Sequence, residues 1–257
     1  VIGNIHAGGT GKTPHASALL NIFAERLGGA ENVALLSRGY GRRSKGFKWV
    51  QEHEDWREFG DEPFLLKQLH PKHPIAVSEN RLSGVALIKR DKPHVRLVIL
   101  DDGLQHRKLI PHKSIVLLDA QRPLNQEALI PGGSLRDLKS RVTKFDAVIF
   151  TRAELSLGTG KSIFSSEMIA KMSQQSAREK SAKTRVLAVS GIAEPERFMK
   201  NLASEWNVVR KQSYPDHYEF QKEDVENWVA WVQAEGLDGI VTTQKDSVRL
   251  NQFSETL

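Results

Sequence analysis

Cysteine is absent from all 257 residues, which excludes disulfides and thiolate metal sites and suits a reducing compartment. A run of about 18 apolar residues is also absent, so the sequence offers no membrane-spanning helix. No signal peptide, zinc-finger spacing or RNA-binding signature is read. The guanine-reading Asn-Lys-x-Asp pattern is missing too, and Thr243-Gln244-Lys245-Asp246 resembles it only superficially. These absences weaken secreted, membrane-spanning and nucleic-acid-binding readings before any motif is considered.

Charge and bulk are present. The formal net charge is +6 and the sequence pI is about 9.5. That balance is compatible with nucleic acid, an anionic membrane surface or a phosphorylated substrate, and it does not choose among them. Hydrophobic residues make up 39% and charged residues 26%, enough for an ordinary core without staples. The length suits one large α/β domain, or a larger domain with a small second lobe.

Apolar runs at 1–5, 33–37, 75–78, 97–100, 115–118, 147–150, 186–189 and 239–242 alternate with helical patterns such as 13–26 and 83–90. Alternation of this kind predicts βαβ units and a mostly parallel sheet flanked by helices. Residues 48–59 are polar with Trp49, Trp56 and Phe59 interspersed, and read as a hairpin on the sheet edge. The expected organisation is a core at 1–155, a connector at 156–183 and a smaller α/β lobe at 184–257. The connector is rich in Ser, Lys, Gln and Ala, with an amphipathic helical pattern. The chain opens inside an apolar run and stops just after a helical stretch near 247–252. Further residues are therefore expected before it, and after it as well.

The strongest local signal is Gly8-Gly9-Thr10-Gly11-Lys12-Thr13, between a strand and a helix. Such a loop turns backbone N–H groups toward phosphate oxygens, and the helix start adds partial positive charge. Lys12 is expected to bridge the β- and γ-phosphates of ATP, with the Thr13 hydroxyl on Mg²⁺. The strict pattern has Gly six residues before the Lys, where this sequence has His6. Downstream, Leu97-Val98-Ile99-Leu100 ends in Asp101-Asp102-Gly103. An acid at that strand end is the expected metal carboxylate, so Asp101 is assigned to Mg²⁺, directly or through water. Asp102 is a candidate for supporting the metal's ligands from behind or for the substrate side. Taken alone, Asp-Asp-Gly after a strand is most often a solvated turn, and its position downstream of the phosphate loop reverses that reading.

Other polar residues follow strands. Arg38, Arg42, Arg43 and Lys45 sit in a Gly-rich loop after the second strand, where a doubly wound sheet opens its ligand crevice. They are read as a phosphate or anionic-headgroup site, or as a solvated basic loop. Tyr40 is placed in the site, and Arg81 as a phosphate clamp or a helix-start ion pair. Asp61, in Gly60-Asp61-Glu62-Pro63, reads as a helix N-cap, a role compatible with others. His70 and His73 are read as loop residues, because prolines between and after them oppose a helical metal pair.

Several short motifs occur in order: Asn4-Ile5, Pro14, Ser37-Arg38-Gly39-Tyr40-Gly41, Gly60-Asp61-Glu62-Pro63 and Asp101-Asp102-Gly103-Leu104-Gln105-His106. Then come Arg122-Pro123-Leu124, Leu129-Ile130-Pro131-Gly132-Gly133-Ser134-Leu135-Arg136, Pro215-Asp216-His217-Tyr218 and Thr243-Gln244-Lys245-Asp246. Together they resemble the tetraacyldisaccharide 4'-kinases over nearly the whole chain. The resemblance implies a P-loop fold and ATP-dependent phosphorylation of the 4'-hydroxyl of a tetraacyldisaccharide 1-phosphate, giving lipid IVA. It implies ATP and Mg²⁺ as co-substrates and a lipid acceptor. It also implies work at the cytoplasmic face of the bacterial inner membrane, with an N-terminal membrane-associated segment ahead of this chain.

By the same resemblance Asp61 and His217 form the base pair that handles the acceptor hydroxyl, while Arg136 and the acid after it meet the substrate. That acid is Asp137 here, where the family usually has Glu. Two rivals stay open: a P-loop kinase for another sugar or small acceptor, and a nucleotide-driven binding switch.

Overall fold

A computed structural model describes residues 1–152, the strand at 163–166 and residues 184–257. By internal contacts the chain divides into two compact units, Val1–Ala170 and Lys171–Leu257. Most of the expected connector, 156–183, lies outside the described residues. Its described part, Ile163–Ser166, is a strand.

The first unit contains strands β1 (Ile2–Asn4), β2 (Val33–Ser37), β3 (Lys48–Trp49), β4 (Ile75–Val77), β5 (Leu97–Leu100), β6 (Ile115–Asp119), β7 (Ala147–Thr151) and β8 (Ile163–Ser166). Its helices are α1 (Lys12–Leu27), α2 (Asp61–Leu69) and α3 (Arg81–Asp91). One sheet has the order β3-β4-β2-β5 and the other β1-β6-β7-β8. Every pairing is parallel except β3 with β4. The apolar runs become strands because a parallel sheet covered on both faces accepts continuous bulky residues: Val33 through Ser37 are all buried.

The two sheets meet through a parallel bridge between Ile2 and Asp101, and the Gly103 N–H donates to the Ile2 carbonyl at 3.3 Å. The end of β5 thus lies beside β1. That placement brings the loop after β1 and the acids after β5 to the same sheet edge.

The region 48–59 departs from the expected hairpin. Only Lys48–Trp49 pairs, antiparallel to β4 at the sheet edge, and Trp56–Glu58 is a short 3-10 turn. Phe59 is fully buried, and Trp49 packs edge-on against Phe47. These aromatics therefore pack within the unit. His70 and His73 are buried as well: His70 meets the Ser17 hydroxyl at 2.6 Å and His73 the Val33 carbonyl at 3.0 Å.

The second unit carries β9 (Arg185–Ser190), α4 (Pro195–Ala203), β10 (Asn207–Ser213), α5 (Lys222–Glu235), β11 (Gly239–Thr242) and α6 (Gln244–Leu250). Its parallel sheet has the order β10-β9-β11. Leu187, Val189, Phe220, Val225 and Trp228 form its core. Helix α6 starts ahead of the expected stretch because Thr243 caps it, accepting from the Asp246 N–H.

Candidate active site

The phosphate loop is held from below by Asn4, the last residue of β1. Its side-chain amide donates to the Thr10 hydroxyl at 2.7 Å and to the Gly8 carbonyl at 3.3 Å. Lys12 opens α1, and Thr13 follows it, both half-buried. Gly8 and Gly11 take φ of 95° and 80°, so the turn needs glycine at those positions. His6 pairs with Leu135 in an antiparallel bridge and is fully buried, so the chain is still extended there and needs no glycine. Burial, with Arg122 nearby, holds the His6 imidazole below the usual histidine range. From the far side, Arg152 donates to the Gly9 carbonyl at 2.6 Å and to Asp119 at 2.5 Å.

Asp101 is 1% exposed, and its Oδ1 has no hydrogen-bond partner in the protein. Burial, then the charges of Glu62 and Asp102, push its pKa up to about 7, against the pull of Lys12. A buried carboxylate oxygen left unpartnered is costly unless a cation or donor joins it. The unpartnered Asp101 oxygen therefore suits a hard divalent cation.

Asp102 behaves differently. It sits at φ 47° and accepts two bonds from Arg136, at 2.8 and 3.1 Å. Burial opposes its ionised form, but Arg136, Lys12 and Arg81 outweigh it and hold the carboxyl below the usual range. Arg136 also donates to the side-chain oxygen of Asn4. One guanidinium therefore ties the strand-end acid to the residue that shapes the phosphate loop. The two neighbouring carboxyls are thus pushed in opposite directions, Asp102 toward a fixed charge and Asp101 toward a neutral form.

Arg81, the first residue of α3, is 5% exposed and its Nε lacks a partner. Burial lowers its pKa, as does the charge of Arg38, while Asp102 and Asp101 oppose the shift. Arg38 is exposed, and so is Tyr40, at 69%. The basic loop does not act as one cluster. The Arg42 side chain is 3% exposed and pairs with Glu79 at 2.5 Å, fixing the loop, whereas Arg43 and Lys45 stay on the surface. A cleft of about 480 Å³ lies between Glu79-Asn80 and Gln105-His106-Arg107-Lys108, on segments that follow β4 and β5.

Asp61 opens α2 and does not cap it. Gly60 holds the cap position, and the Asp61 carboxylate accepts from the Glu62 N–H at 2.8 Å. Asp61 is 3% exposed. Its placement depends on a close backbone crossing. A Cβ on Gly60 would sit 2.8 Å from the Tyr40 carbonyl, and one on Gly39 2.5 Å from the Phe59 carbonyl. Two glycines thus bring the Arg38–Tyr40 loop against the start of α2.

Asp137 is buried and turned inward. It accepts from Leu138 N–H at 2.9 Å and from Arg141, with Arg107 at 3.6 Å.

In the second unit His217 takes φ 60°, and its Nε2 lies 3.2 Å from the Lys245 ammonium. Asp216 is 3.3 Å from the same ammonium. Asp246 is fully buried with Arg249, accepts from Gly191 N–H at 3.1 Å, and is buttressed by Thr243 at 2.5 Å. Sequence reading assigned no role to Lys245, Arg249, Glu62, Asn4 or Arg152. Their signal was position within the motifs or just past a strand, with no chemistry visible until the fold closed.

A family model described as tetraacyldisaccharide-1-P 4'-kinase, LpxK, matches residues 1–257. The chain belongs to this family. Relatives named tetraacyldisaccharide 4'-kinase include one from Cytophaga hutchinsonii, 32% identical over 97% of this chain and 74% of its own length. Another, from Chromobacterium violaceum, is 35% identical over 97% of this chain and 73% of its own length. The crystal structure of the apo form of LpxK from Aquifex aeolicus in complex with ATP is similar with a TM-score of 0.73 and 30% identity. That likeness covers 97% of this chain and 78% of that one. The P-loop kinase fold of LpxK is thus the fold of this chain, and the sheet edge carrying Lys12, Asp101 and Asp102 is its candidate catalytic edge.

Proposed function

We propose that this chain transfers the γ-phosphoryl group of ATP to the 4'-hydroxyl of a tetraacyldisaccharide 1-phosphate, giving lipid IVA for lipid A biosynthesis. Family membership over residues 1–257 supports the reading. The observation that carries it is the convergence of Lys12 and the unpartnered Asp101 carboxylate beside β1.

The residues divide by role. Loop amides at Gly8, Gly9, Thr10 and Gly11 cradle the phosphates, and Lys12 neutralises charge that develops on the transferred group. Thr13 and Asp101 would hold Mg²⁺, which when bound offsets phosphate charge. Arg136 keeps Asp102 ionised and fixed in place. Arg81 and Arg38 offer donors to anionic groups of the substrate, and Tyr40 an exposed ring beside them. Asp61 and His217 serve the acceptor hydroxyl, whose proton must leave as the new O–P bond forms. The inward pairing of Asp137 favours a positioning role for it, by way of Arg107 and Arg141.

Among the described residues no helix is long and apolar enough to cross a membrane. A lipid acceptor nonetheless places the reaction at a membrane surface, the cytoplasmic face of the inner membrane. The test is phosphate transfer from ATP to tetraacyldisaccharide 1-phosphate in mixed micelles. Turnover is expected for the wild type and is expected to be lost in Lys12→Ala and Asp61→Ala. Turnover of a different sugar with none of the lipid would overturn the acceptor assignment.

A further inference from the structure

A lipid acceptor requires an apolar surface beside the phosphate loop, and one loop of the first unit has that character. Leu129 is 44% exposed and Ile130 54%, with Pro131, Gly132 and Gly133 also exposed at the tip. Leu138, a few residues on, is 53% exposed. Single exposed leucines are ordinary, but an uninterrupted Leu-Ile-Pro tip is a different case.

The tip is rigidly based. Ile130 N–H donates to the Leu135 carbonyl at 3.0 Å, Leu135 N–H to Ala128 at 2.9 Å, and Gly133 N–H to Leu129 at 3.0 Å. Its return strand is fastened to the phosphate loop: Ala7 N–H donates to Ser134 and Arg136 N–H to Ile5, both at 2.7 Å. The same segment therefore carries an apolar end outward and Arg136 inward to Asp102.

Charge around the tip has one dominant sign. Asp137 takes both Arg107 and Arg141 and is itself buried. Lys139 is exposed next to Leu138. Its ammonium lies 3.4 Å from the Asn125 carbonyl, and Glu127 behind the tip is paired with Arg122, so Arg107, Arg122, Lys139 and Arg141 outnumber the carboxylates Glu127 and Asp137 and the group is net positive. Apolar side chains flanked by cations are what a peripheral protein presents to anionic lipid: the apolar part enters the acyl boundary and the cations meet headgroups.

We infer that the Leu129–Pro131 tip, with Leu138 and Lys139, docks the protein on an anionic phospholipid surface and so brings the phosphate loop to a membrane-embedded acceptor. This rests on the lipid acceptor proposed above. Docking and chemistry can be separated by experiment, because Leu129 and Ile130 are exposed side chains outside the residues assigned to phosphate, metal and acceptor.

The experiment is vesicle co-sedimentation with mixed phosphatidylethanolamine–phosphatidylglycerol vesicles and with phosphatidylcholine vesicles, run beside turnover of detergent-dispersed acceptor. The wild type is expected to bind the anionic vesicles more tightly. Leu129→Ser with Ile130→Ser should weaken that binding about tenfold, since two partly inserted aliphatic side chains are lost. Lys139→Glu should weaken it too, more strongly at low salt. Ile110→Ser, at a tip 93% exposed on another loop, should leave binding within about twofold. Detergent-phase kcat should hold in all three, while KM for vesicle-embedded acceptor rises only in the first two.

Wild-type indifference to vesicles would overturn the inference, as would an equal loss in Ile110→Ser. So would a tip variant that binds vesicles normally but changes oligomeric state in sedimentation equilibrium. Vesicle binding without any turnover would instead count against the kinase reading and leave docking standing.

Discussion

Asp101 has a carboxyl that ordinarily titrates near 3.8 and is pushed here to about 7, chiefly by burial. The folded state therefore keeps a proton that the unfolded chain releases. Stability contributed by the neutral form is present below about pH 4 and is lost as pH rises through about 7. Asp101→Asn should match the wild type at low pH and exceed it by about 1–3 kcal/mol at pH 8, in urea unfolding without nucleotide. The same variant should lose turnover by roughly a hundredfold or more, because an amide is a poor ligand for Mg²⁺. Gained stability with lost activity is the signature of a functional group held under strain. Arg136 makes a complementary case. Its fork spans Asp102, so Arg136→Lys keeps the charge and loses the two-point hold. Its MgATP affinity, read by calorimetry, should fall about tenfold, with the folded state retained.

At the scale of elements, the crossing of the loop at 39–40 with 59–60 sets where α2 begins. Gly60→Ala forces a Cβ within 2.8 Å of a backbone carbonyl at a φ of 90°. A loss of about 2 kcal/mol or more is expected in the urea midpoint, with Asp61 displaced. Gly46 has φ 73° but open space around it, so Gly46→Ala should cost only about 1 kcal/mol. Strands β1, β2, β4, β5, β6, β7, β9 and β11 were legible in the sequence, since each is an apolar run ending in a polar or turn residue, whereas β8 lay inside the expected connector and β3 in a polar stretch. Strand β10 was not: Asn207–Ser213 alternates half-buried and exposed positions along the edge of its sheet, and its residues are mostly polar. The phosphate loop and Asp101 were legible because their spacing and strand context are local. The joining of Asn4, Arg136 and Asp102 was not, because it depends on which strands become neighbours.

At the scale of the molecule, each unit has its own polar anchor. In the second unit Asp246 and Arg249 are both fully buried and together hold Gly191 and the Tyr218 carbonyl. Sequence reading saw Thr243-Gln244-Lys245-Asp246 as a family motif, and the structure supplies a physical reason for its acid. Asp246→Ala leaves a buried guanidinium without its carboxylate, a loss of about 3–5 kcal/mol. Because the chain has two units, melting of the full protein should then separate into two transitions, the lower one belonging to Lys171–Leu257.

Among the described residues, the backbone junction of the two sheets in the first unit is one bridge between Ile2 and Asp101 and one amide bond from Gly103, reinforced by side chains: Gln105 donates to the Asn4 carbonyl at 3.0 Å and Arg136 spans Asp102 and Asn4. Lys12 is reached from one side of that seam and Asp101 belongs to the other. Any ligand that bridges them acts as a rivet across it, so nucleotide affinity and seam closure become one linked equilibrium. Amide exchange reports on that linkage directly. The Gly103 N–H should exchange faster than its neighbours in β5 in the free protein and slow markedly when MgATP is added. A seam that breathes would also give product a way out, making departure of ADP a mechanical event of the sheet as much as a chemical one.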